Sequence, residues 1–155
     1  MFAEMAASTR EPAGVAEARA AIARLEEMSA DLRGCAVLDA AGRALGASGD
    51  AGRWGEAGAA VLAVADAAGE EPASEVHVVT DEGEVFAIRH RGLAMVAVAE
   101  RFTLASLMVF DMRAVLGELG CEGADGGGRR VALGHDADAG SELSRATARL
   151  IEAAG

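Results

Sequence analysis

Apolar residues recur at three- and four-residue steps from Val15 through Ala18, Ile22, Leu25, Met28 and Leu32, with Arg19, Arg24, Glu26 and Glu27 between them. That spacing predicts an amphipathic helix over 12–32 with one buried stripe, and Pro12 suits its first turn. The period then changes. Residues 35–39 form a short apolar run and 43–48 a weaker one, separated by Asp39-Ala-Ala-Gly42. Asp at the first position and Gly at the last mark a type I turn, so these two runs read as a hairpin. Residues 53–68 return to helix: Ala- and Leu-rich, free of Pro, and ended by Gly69-Glu-Glu-Pro72. Three strands follow in a meander. Residues 75–80 alternate with Val76, Val78 and Thr80 on one face, and 85–90 place Phe86 and Ile88 together. Residues 93–99 are apolar on both faces, as in a central strand covered from both sides. A third helix over 104–119 carries Leu104, Met108, Met112, Val115 and Leu119 as its stripe, with Thr103 as the expected N-cap.

The remainder divides the chain. Residues 1–11 read as a frayed terminus and 12–120 as one domain. Residues 121–140, with Gly126-Gly-Gly128, read as a Gly-rich linker. Residues 141–155 allow a short helix with Leu143, Ala146 and Leu150 on one side. That helix is marginal alone, and is expected to be disordered or ordered only by a partner.

The helix over 53–68 is the anomaly. From Ala57 to Ala65 it has neither charge nor polar side chain. A helix apolar all round does not lie on the surface of a monomer with one face in water. Trp54, Ala57, Val61, Ala65 and Ala68 make a stripe for the sheet, while Ala59, Leu62 and Ala63 fall away from it. Gly55, Gly58 and Ala59 permit close backbone approach. With no other element left to cover that second face, it is expected to meet a second copy, most simply across a two-fold axis.

Composition narrows the function. All 14 basic residues of the 155 are Arg, and 25 acids give a net charge of −11. Such a balance argues against nucleic acid, which demands a basic footprint, and against an anionic membrane surface. No apolar run approaches the ~18 residues of a membrane span. With no apolar leader evident at the start, the expected location is the cytoplasm. The two cysteines, Cys35 and Cys121, have no metal or redox spacing and read as free thiols.

Candidate chemistry is sparse. His77 and His90 suit structural or surface roles. His135-Asp136-Ala-Asp138 offers an incomplete ligand set. Gly46 to Gly52 precedes a helix, which suits an anion, but it lacks the G-x-G-x-x-G spacing and the Lys of a phosphate loop. No nucleophile–base pair stands out, so no cofactor and no enzymatic activity are expected. Arg89, His90 and Arg91 cluster at a hairpin tip with Arg101 just after the last strand. In an acidic protein they are the candidate contact for an acidic partner. Arg89→Glu with Arg91→Glu is expected to weaken that contact and leave folding intact.

The order helix, two strands, helix, three strands, helix, with Leu25…Arg33-Gly34-Cys-Ala-Val-Leu-Asp39-x-x-Gly42, resembles the roadblock / dynein light-chain family. The Val-Val-Thr-Asp-Glu-Gly-Glu-Val-Phe hairpin and the Leu-Ala-Met-Val-Ala-Val strand are similar to its later strands. The resemblance covers roughly 15–120. It implies an α+β fold: a five-stranded antiparallel sheet, two helices on one face and the middle helix on the other. It also implies a homodimer through the middle helix and third strand, here Trp54, Gly55, Gly58, Ala59, Leu62, Ala63, Asp66, His77 and Val79. Bacterial members look like non-enzymatic regulators or scaffolds of small Ras-like GTPases. A small-ligand sensor of similar sheet architecture is the alternative, and would need a pocket with convergent polar groups.

Overall fold

A computed structural model describes residues 14–119, 129–133 and 142–155. Helix α1 spans Val15–Met28 and buries Ala18, Ala21, Ile22 and Leu25. It ends before the expected 32, because Ser29 turns extended and the chain enters strand β1 at Leu32–Leu38. The predicted turn then forms. Asp39 Oδ1 accepts the N–H groups of Ala41 at 2.9 Å and Arg43 at 3.0 Å, and Gly42 takes φ 89°. Those backbone bonds hold the Asp39 carboxyl below its usual range. Strand β2, Ala44–Ala47, completes the hairpin.

Helix α2, Ala51–Ala67, follows, with Asp50 as its N-cap. Strands β3 (Ala73–Val79), β4 (Glu84–His90) and β5 (Leu93–Ala99) form the meander, and helix α3 spans Ala105–Gly117. Its N-cap is Leu104 rather than Thr103, whose hydroxyl donates to the Glu100 carbonyl at 2.6 Å. Leu104 also leaves the expected stripe and faces solvent.

The five-strand, all-antiparallel expectation needs correction. The sheet has six strands in the order β2-β1-β5-β4-β3-β6. Strand β6, Arg129–Leu133, lies in the stretch expected to be linker and pairs in parallel with β3, Val131 opposite Val76. Helix α4, Glu142–Ala154, lies in the expected tail. It packs against α2 on the same sheet face and buries Leu143, Ala146, Thr147, Leu150 and Ile151. A helix this short gains its stability from tertiary burial, which its own length does not predict.

Two apolar layers therefore flank the sheet. α2 and α4 close over Ala36, Val76, Val78, Ala94, Val96 and Val98. α1 and α3 close over Cys35, Val37, Phe86, Ile88, Met95 and Ala97. Strand β5 supplies both layers from alternate residues, as its two apolar faces predict.

Candidate functional site

The surface expected for self-contact is occupied in part. Trp54 is fully buried, its indole N–H donating to the Ser48 carbonyl at 2.7 Å. Gly55 sits where an added Cβ would meet the backbone of the β1–β2 turn, 3.2 Å from Ala44 N. Gly58 sits where a Cβ would lie 3.1 Å from both Leu38 and Val96. These two glycines let α2 approach its own sheet, and Leu62 is buried in the same layer. Of the expected self-contact residues on α2, Ala59 and Asp66 keep partial exposure and Ala63 is open to solvent. The premise that nothing remains to cover α2 is corrected by α4. On β3, His77 stacks on Phe86 with ring centroids 4.4 Å apart and bonds Glu84 at 2.8 Å. Val79 is exposed, while the edge of β3 is paired with β6. A self-contact through the edge of β3 would require β6 to move aside, while Ala59, Ala63 and Asp66 of α2 stay open along the cleft.

The four candidate partner residues separate. Arg89, His90 and Arg91 lie at the β4–β5 turn, whereas Arg101 lies beyond the opposite end of β5, roughly 20 Å away. Arg101 extends over the Phe102 ring at 4.7 Å. Arg89 is a structural residue. Its guanidinium grips Asp66 Oδ1 at 2.6 Å and Oδ2 at 3.0 Å and donates to the Ala73 carbonyl at 2.9 Å. One side chain thus ties the end of α2 to the start of β3. Such a two-pronged bond fixes geometry as well as charge. The expectation that Arg89→Glu leaves folding intact is therefore corrected: a carboxylate there would face Asp66. Arg91 is exposed, in the left-handed region at φ 51°.

What the fold does bring together is a cleft of about 510 Å³. Its walls are the β1–β2 turn from Asp39 to Gly42, the second half of α2, Pro72 to Ser74, and the β4–β5 turn. Ala59, Leu62 and Ala63 give it an apolar wall, and Asp66, Arg89, His90 and Arg91 a polar one. Residues from the expected self-contact thus share a site with residues from the expected partner contact. The sequence marked both groups singly and missed their convergence and the part played by Pro72.

Other sequence candidates resolve plainly. At the N-terminus of α2, Asp50 Oδ1 accepts from Gly52 N at 2.9 Å and Arg53 N at 3.3 Å, so a side-chain carboxylate takes the place an anion would fill. Cys35 is buried, and burial, aided by nearby Glu26 and opposed by the Ser48 hydroxyl, pushes its thiol up to about 12. It is no nucleophile. No group of three or more metal-ligating side chains is found among the described residues. His135, Asp136, Asp138 and Cys121 lie outside the described residues. No described helix is long and apolar enough to cross a membrane.

No family model matches the sequence, and no curated protein matches it either. Solved structures do. A Roadblock/LC7 domain from Streptomyces avermitilis superposes with a TM-score of 0.56 at 16% identity, covering 64% of this chain and 91% of its own. A second solved structure of a Roadblock/LC7 domain from that organism gives 0.52 at 11%, covering 63% and 93%. Myxococcus xanthus MglB gives 0.53 at 16%, covering 68% and 86%. At these identities the likeness is one of fold, and it carries the resemblance read from the order of elements: the chain has a Roadblock/LC7-type fold.

Proposed function

We propose that this chain is a non-enzymatic regulator or scaffold, acting in the cytoplasm, that binds a small Ras-like GTPase and modulates its nucleotide cycle or its placement. The observation that carries the reading is the Roadblock/LC7-type fold, with M. xanthus MglB among the similar structures. The contact we favour is the cleft between α2 and the β4–β5 turn. It joins an apolar wall to a rim of mixed charge, where Asp39 and Glu71 flank the Arg89–Asp66 pair and the exposed Arg91 offers a cation to an acidic surface.

The test is calorimetric titration of the purified chain against small Ras-like GTPases of the same cell, loaded with GDP or a GTP analogue, alongside their hydrolysis rates. Binding with an altered rate is the expected result, and Arg91→Glu should weaken it about tenfold while the fold holds. Failure of every such GTPase to bind would remove the proposal. The size and polar wall of the cleft favour one second reading, a small-ligand sensor, since ligand pockets commonly span about 300–1,000 Å³. A metabolite released from the purified chain on denaturation and seen by mass spectrometry would select it.

A further inference from the structure

On the face of the sheet that carries α1 and α3, the helices stop short of one side. α1 packs on β1 and β2, and α3 on β4 and β5. No residue of β3 or β6 belongs to the buried layer they close. Among the described residues, these two outer strands are therefore bare of helix on this face. Neighbouring strands lie about 4.8 Å apart, so the bare strip is about 10 Å wide, the distance at which one helix packs beside another. Along the seven residues of β3 it runs roughly 23 Å, which about 15 residues of helix would match.

The strip has a floor, a wall and an uneven charge. His77 stacks on Phe86 of the α1–α3 layer, and Val79 of β3 and Ala132 of β6 share its face. Val79 is 42% exposed, and Ala132 is open to solvent. Arg113 donates to Glu75 of β3 at 3.1 Å, which identifies the flank of α3 turned toward the strip. Val109 and Phe110, four and three residues earlier, stand on that flank, and Phe110 is 68% exposed. Phe102, 84% exposed, closes one end, with the Arg101 guanidinium over its ring. Its φ of 65° is left-handed, and the buried Glu84 carboxylate keeps it there, accepting the Phe102 N–H at 2.6 Å while its other oxygen bonds His77. Such a sparsely populated backbone conformation persists only where its surroundings enforce it, and these cluster at functional surfaces. At the other end Glu75 alone answers two guanidiniums, Arg113 and, at 3.5 Å, Arg130. One positive charge is left over there, on a chain of net charge −11. Asp81 and Glu82 follow Val79 at the Phe102 end, so the cationic surplus is confined to the Glu75 end.

We propose that this strip docks an amphipathic helix of another protein, one that carries acidic residues at the end lying over Arg113 and Arg130. Width and charge together select that occupant. A strip two strands wide, walled by α3, takes one helix, whose apolar stripe lies on Val79, Ala132 and the Phe110 ring. Acidic residues at one end of that helix meet the surplus guanidinium, which fixes its direction along the strip. A second copy of the strip would instead bring like charge to like, and an anionic lipid surface would repel a chain of net charge −11. The GTPase reading uses the cleft by the β4–β5 turn, so the two stand or fall separately.

The probe is a synthetic helical peptide of about 15 residues, with leucines along one face and glutamates at one end. Its twin carries glutamines in their place. Both are titrated into the isotope-labelled full chain at low salt and followed by nuclear magnetic resonance. The acidic peptide should bind about fivefold more tightly than its twin, with the largest shifts at Val79, Ala132 and Phe110. Phe110→Asp should weaken both peptides at least about tenfold, and Arg130→Glu should erase the difference between them. Both side chains lie outside the buried layers, so Trp54 emission should stay native in each variant. Equal affinity for the two peptides, or no binding of either, would overturn the proposal. So would shifts confined to the cleft lining from Ala59 to Asp66. It would also fail if a soluble paramagnetic chelate left Val79 and Ala132 unbroadened in the free chain, since the chain's own residues would then already cover the strip.

Discussion

Leu150 lies fully buried between α4, α2 and the sheet, and Leu150→Ala probes whether α4 is the true cover of α2. Truncation of a core leucine costs 2–5 kcal/mol, with the larger values where surroundings cannot collapse. Leu150 is enclosed by α2 and the sheet, and the terminal helix carrying it can shift to fill part of the gap, so about 3 kcal/mol, mid-range, is the reasonable figure. If α4 opens as a local unit, that loss raises its undocked fraction roughly a hundredfold. The protein supplies its own reporter. Trp54 is the sole tryptophan and fully buried, and an added Cβ at Gly34 would touch both its ring and Ala154 of α4. Undocking therefore uncovers the indole edge. In Leu150→Ala, Trp54 emission should shift to the red, and the amides of α4 and β6 should exchange faster while those of β5 keep their protection. Wild-type emission together with wild-type protection of α4 would refute the idea that α4 seals this layer.

Glu84→Ala should cost about 2–3 kcal/mol in denaturant unfolding, because it strips a charged acceptor from both His77 and the Phe102 N–H. Glu84→Gln, which keeps an acceptor, should cost less, and equal losses would count against that bond. For Cys35, the folded thiol holds its proton up to about 12 against an ordinary value of 9.0. Above pH 9 the unfolded chain therefore carries fewer protons than the folded one, so this group's contribution to stability falls as pH rises from about 9 to 12. Denaturant midpoints for the native chain and Cys35→Ala should diverge in that window. Native Cys35 should also resist alkylation until the chain unfolds.

The sheet's antiparallel part was legible because alternation is a local signal. Val76 and Val78 do face one layer, and Phe86 and Ile88 the other. The β1–β2 turn was legible for the same reason, since Asp39 and Gly42 fix it within four residues. What the sequence hid is long-range. Strand β6 is five residues embedded among glycines and acids, and its parallel pairing with β3 depends on chain far away. Helix α4 looked marginal because isolated length is a poor guide once five side chains are buried. The rule that a helix apolar all round needs a second cover was sound, but the cover for part of α2 was not seen in the sequence. For α2 the cover comes from the chain's own end, while α3, given one stripe on paper, is left with Leu107 and Phe110 in water. The site was half legible: Arg89 and Asp66 were both marked, but only the fold reveals that they grip each other.

The parallel seam between β3 and β6 also sets a time order. The β1–β2 hairpin and the β3–β4–β5 meander can assemble from neighbours in sequence, but β1 with β5, and the seam, must each wait for distant chain to come together across the sheet. Both closures cost entropy before any bond repays it, and the five-residue parallel seam repays least, so the seam and α4 are expected to form last. During that interval β3 is an open edge, the kind of strand that recruits other chains. Stopped-flow refolding should therefore show the burial of Trp54 completing after β5 is protected, and the final phase is where crowding the chains would do most harm.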